Sequence, residues 1–70
     1  MYIKFFTEDD LVKEIDGEEA EDFMVAFSAF TTIKCNIGFS ILIDGDSYKI
    51  IHIELSLHGN VNIRVRKIKN

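Results

Sequence analysis

The chain has 70 residues, 47% of them hydrophobic, with 12 acids against 8 bases and a formal net charge of -4. That length suits one domain and leaves little surface to bury beyond a single core. One cysteine and no proline exclude an intrachain disulfide framework and a proline-rich linker.

The opening MYIKFF lacks the charged region and long apolar run of a secretory leader. No apolar run approaches the ~20 residues of a membrane helix, so the expected setting is cytoplasmic, with no membrane partner. YIKFF, residues 2–6, predicts a short strand from its aromatic and β-branched content, placed at a sheet edge. Thr7 then caps a predicted helix from Glu8, with Leu11, Val12 and Ile15 as its apolar stripe. Asp16 caps a second helical segment of about 18–31, with Glu19 reaching back to it. Gly17 either separates two short helices or kinks one. Ala20, Phe23, Met24, Phe27 and Phe30 recur at spacings of three and four, which is one helix face.

From residue 34 the period changes to two. In KCNIGFSILID the apolar positions are Cys35, Ile37, Phe39, Ile41 and Ile43. In YKIIHIELSLH they are read as Ile51, Ile53, Leu55 and Leu57, and in the last strand as Val61, Ile63 and Val65. Three-residue turns at 45–47 and 58–60 keep these sets on one face, pairing Asp44 with Tyr48, Phe39 with Ile53, Leu57 with Val61 and Ile53 with Val65. The expected fold is α+β, one domain over residues 1–70. It has an N-terminal strand, an acidic helical segment and a three-stranded antiparallel meander packed on the helix. On the outer face this register sets Glu54 opposite Arg64. It also exposes an apolar patch of Leu42, Ile50 and Tyr48, which together with the edge strand 2–6 offers a route to a homodimer.

Little in the sequence carries catalytic chemistry. Cys35, His52 and His58 are the only soft metal ligands, and the register points Cys35 inward and both histidines outward. No phosphate-binding glycine loop is present. The expectation is a protein that is not an enzyme and holds no cofactor or metal.

Charge is the strongest feature. Residues 8–22, EDDLVKEIDGEEAED, hold nine acids and one base, Lys13. A helix built for stability alone would set Lys or Arg four residues from its acids. Uncompensated like charge costs stability through self-repulsion, so the excess points to a basic partner that binds Glu8, Asp9, Asp10, Glu14, Glu18, Glu19, Glu21 and Asp22. In size and charge, with no shared motif, the chain resembles the small acidic inhibitors of phages and mobile elements, among them anti-restriction and anti-CRISPR proteins. That resemblance implies an inhibitor that occupies a basic nucleic-acid-binding site on another protein. The alternative is a nucleic-acid-binding module. Residues 60–70 carry four cations and no acid, and Tyr48, His52, Arg64, Arg66 and Lys67 would form its sheet-face site.

Overall fold

The computed structural model describes residues 1–31 and 40–68, with side chains of the helix described through Ala29. The elements in chain order are β1 (Tyr2–Phe6), β2 (Leu11–Asp16), α1 (Gly17–Thr31), β3 (Ser40–Ile43), β4 (Asp46–Leu55) and β5 (Val61–Lys67). The five strands form one mixed sheet in the order β2-β1-β5-β4-β3. Neighbours are antiparallel except β1 and β5, which run parallel.

The α+β class stands, but three expectations about its elements do not. First, residues 11–16 form a strand rather than a helix. Thr7 N–H donates to the Asp10 carbonyl at 2.9 Å, and the Thr7 hydroxyl lies 3.4 Å from both Asp10 N and O. This turn folds β2 back on β1, with Ile15 opposite Ile3 and Glu14 opposite Lys4. A helix of two turns is marginal by itself, and a hairpin that buries Ile15 outcompetes it. Second, β1 is not an edge strand. It lies between β2 and β5, and Ile3 and Phe5 are in the core. The edges are β2 and β3. Third, the sheet has five strands, so a three-stranded meander understates it. A single helix follows Gly17, whose φ of 57° makes the corner from β2 into α1.

The registers also differ from those expected. The β3–β4 turn is the two-residue Asp44-Gly45, with φ of 51° and 90°. Both are left-handed, as a tight primed hairpin turn requires. It pairs Ile43 with Asp46 and Ile41 with Tyr48, not Asp44 with Tyr48. The β4–β5 connection is five residues rather than three. The Ser56 hydroxyl accepts from the N–H groups of His58 at 3.3 Å and Asn60 at 3.2 Å, and Gly59 takes a φ of 84°. Leu55 therefore faces Val61 and Ile53 faces Ile63, in place of the Leu57–Val61 and Ile53–Val65 pairs. Leu57 is fully exposed. The expected pairing of Phe39, and the inward positions of Cys35 and Ile37, lie outside the described residues.

A bulge between Ile50 and His52 completes the rearrangement. Below it the odd residue Ile53 faces inward; above it the even residues Tyr48 and Ile50 do, at 8% and 0% exposure. The sequence break that permits this is the adjacent pair Ile50-Ile51. The expected outer patch of Leu42, Ile50 and Tyr48 is thereby dissolved, because two of its three members are core residues. Leu42 alone remains outside.

The sheet curls over its inner face. Five strands laid flat would set β2 and β3 about 19 Å apart. Yet the Lys13 ammonium on β2 lies 3.2 Å from the Asp44 carboxylate at the end of β3. Within the curl, Ile3, Phe5, Ile15, Ile50, Ile63 and Val65 pack with Ala20 of α1. Phe23 meets Phe5 edge to face at 5.3 Å and stacks on Phe27 at 5.5 Å. The helix face expected from spacing is thus the packed one through Phe27.

Candidate functional site: an acidic edge and a basic face

β1 and β5 run in the same direction, so the β1–β2 turn and the end of β5 share one end of the sheet. The start of α1 and the 56–60 loop share the other. The nine acids of residues 8–22 are accordingly divided. Glu8, Asp9 and Asp10 occupy the turn, where Glu8 lines a groove with Arg64, Arg66 and Lys67. Glu14 and Asp16 follow on the outer face of edge strand β2, opposite Lys4 and Tyr2. Glu18, Glu19, Glu21 and Asp22 ring the first turns of α1 at the far end. All nine are exposed. Of the nine, Glu8 lies beside Arg64 and Arg66, whereas the acids of α1 start from the opposite end of the sheet.

The described residues form two ion pairs, Lys13–Asp44 at 3.2 Å and Lys67–Asp46 at 3.7 Å, and neither uses one of the nine acids. Lys13 is the single cation inside the acidic stretch. Hairpin pairing puts it opposite the buried Phe5, on the inner side, where Asp44 takes its charge. Helix-dipole compensation reaches only the first turn, which holds Glu18 and Glu19. Six carboxylates from Glu14 to Asp22 thus form a band along an open edge and around a helix start. Asp16 belongs to that band as a strand residue, a role hidden when it is read only as a cap.

The opposite end of the outer face is basic. Arg64 faces His52 across β4–β5, and Arg66 faces Lys49. Arg64 Cζ sits 5.8 Å from the centre of the Phe6 ring, within cation–π range. Glu54 pairs with Asn62 rather than with Arg64. Of the sheet-face residues expected from sequence, His52, Arg64 and Arg66 come together there. Lys67 lies at the strand end with Asp46, and Tyr48 is on the wrong side of the sheet. Phe6 and Lys49 are members that sequence reasoning missed. The strand of Phe6 is interior rather than the expected edge, and the bulge reverses the facing expected of Lys49.

Among the described residues no three His, Cys, Asp or Glu side chains are grouped to hold a metal ion, and no helix is long and apolar enough to cross a membrane. Cys35 lies outside the described residues. Compared with protein-family models, with curated proteins and with solved structures, the chain matches none.

Proposed function

We propose that this chain is a non-enzymatic protein-binding module: an acidic inhibitor, of the kind phages and other mobile elements make against restriction or CRISPR systems. It blocks a basic nucleic-acid-binding site on its target. The observation that carries this reading is the band from Glu14 to Asp22. Its six carboxylates are exposed and form no ion pair among the described residues, and the one lysine within the acidic stretch, which shares a groove with Glu19, pairs with Asp44 instead. Side chains two apart on β2 repeat about every 7 Å. A run of negative charge along an edge thus presents what a basic groove built for a phosphate backbone already accepts. Such an encounter is fast and weakens with salt.

The solvated-surface reading accounts for exposure and for the dipole partners Glu18 and Glu19. It does not account for the lack of ion pairs along the band, where Lys4 stands opposite Glu14 and Lys13 shares a groove with Glu19.

The test is capture from the native host on immobilised protein, with elution by an oligonucleotide. The expected result is a specific partner that nucleic acid displaces. The variant carrying Glu18→Gln, Glu19→Gln, Glu21→Gln and Asp22→Asn should no longer retain it. Retention by that variant, with no displacement by nucleic acid, would contradict the proposal.

A further inference from the structure

The outer face at the β5 end has a chemistry of its own. Lys49 and Arg66 stand directly opposite each other on β4 and β5, and like charges in that arrangement destabilise a sheet. Among the described residues neither has an acid partner, nor does Arg64, two residues from Arg66 on the same face. Ile51, thrown outward by the bulge, and Arg64 together form the wall between two shallow grooves of ≈ 330 and ≈ 360 Å³. The second groove is completed by Phe6, His52, Glu54 and Asn62. Glu8 borders the first. The surface therefore sets the cations Lys49, Arg64 and Arg66 among flat or apolar groups, with one carboxylate lining each groove and three cations outnumbering the two acids. The Phe6 ring backs the Arg64 guanidinium at 5.8 Å.

We infer that this face binds single-stranded nucleic acid without sequence preference. Phosphates would lie along Arg66, Lys49 and Arg64, and a base would stack against the Arg64–Phe6 pair beside Ile51. Single-stranded binders combine a basic track with planar groups on which bases stack. An acidic peptide would satisfy the cations but leave the guanidinium–phenyl stack and Ile51 without use. A duplex keeps its base faces covered. The residues are distinct from the acidic band, so the variant with Glu18→Gln, Glu19→Gln, Glu21→Gln and Asp22→Asn, expected to lose the captured partner, should keep oligonucleotide binding, and the two readings fail separately.

The test is fluorescence anisotropy of the full chain with labelled 12-mer oligo(dT) and oligo(U), and with oligo-glutamate of equal charge, at 50–200 mM salt. Binding of the oligonucleotides, with a log–log salt slope of roughly -0.7 for each phosphate neutralised, is expected. Oligo-glutamate should bind at least tenfold more weakly. Arg66→Gln should weaken binding and flatten the slope by about one phosphate's share. Arg64→Lys keeps the charge and loses the plane. It should weaken oligonucleotide binding about tenfold with the slope unchanged, a loss of the size base stacking supplies. Phe6→Leu should do likewise if circular dichroism shows it folded; Arg64→Lys, at an exposed position, carries the test if it is not. Three results would each overturn the inference: no oligonucleotide binding at 50 mM salt, equal affinity for oligo-glutamate, or indifference to Arg64→Lys.

Discussion

Single residues set the corners of this fold. Gly17 turns β2 into α1 at a φ of 57°, with open space where a Cβ would sit. Its role is conformational rather than steric. Gly17→Ala should therefore cost about 1 kcal/mol, read as a melting temperature roughly 4–8 °C lower. An unchanged melting temperature would show that the corner is made elsewhere. Asp44 and Gly45 illustrate how a residue-scale signal can be present and misassigned. Asp-Gly between two apolar runs is the strongest short hairpin cue. Centring the turn one residue later, on Gly-Asp-Ser, shifts the register of β3 on β4. Ser56 was less legible, because its hydroxyl widens the β4–β5 loop by accepting two backbone N–H groups. Nothing in the local pattern ranks that over a tight turn at His58-Gly-Asn.

At the scale of elements, helix α1 was readable because Ala20, Phe23, Met24 and Phe27 keep one spacing and pack on one side. Strand β2 was not, since Leu11, Val12 and Ile15 also fit a helical stripe. The decision came from pairing with β1, a tertiary effect that local propensity does not contain. The bulge in β4 was written in the adjacent isoleucines 50 and 51. Either residue can continue an alternating face, and the choice depends on where β5 pairs. Stability measurements separate the two. Ile50→Ala, at a fully buried position, should cost about 2–5 kcal/mol. Leu42→Ala, 74% exposed on the outer side of β3, should stay within about 0.5 kcal/mol. A cost for Ile50→Ala as small as that for Leu42→Ala would restore the unbulged register, in which both lie on the outer face. The curl is open to a similar check. A double-mutant cycle of Lys13→Met with Asp44→Asn should give a coupling of about 0.2–1 kcal/mol, since both side chains are substantially exposed. The coupling should shrink as salt rises. A coupling of zero at low salt would mean the two edges are not held together by this pair.

Across the whole molecule, sequence reading located the charge correctly and misjudged its geography. The acids of residues 8–22 read as the surface of a helical segment. The sheet instead carries them from a turn beside Arg64 and Arg66, along an edge strand, to the start of α1. The portion from Glu14 onward lies away from Arg64 and Arg66, and its neighbouring cations are Lys4 across the hairpin and Lys13 in the groove with Glu19. This geometry shortens the proposed docking surface and moves its centre to the β2–α1 corner. It also makes that edge unfit for self-pairing, because a second β2 would bring carboxylates against carboxylates. An edge so charged is protected against its own copies and complementary to a basic partner.

The most direct measurement is the affinity of the captured partner as a function of salt, for the native chain and for the variant with Glu18→Gln, Glu19→Gln, Glu21→Gln and Asp22→Asn. The replacements relieve self-repulsion and remove the dipole partners Glu18 and Glu19, effects of opposite sign, so circular dichroism at the assay temperature should show both chains folded. The account predicts that native binding falls steeply between 50 and 200 mM salt, and that the variant binds at least tenfold more weakly with a shallower salt slope. Equal affinity and equal slope in both chains would contradict it.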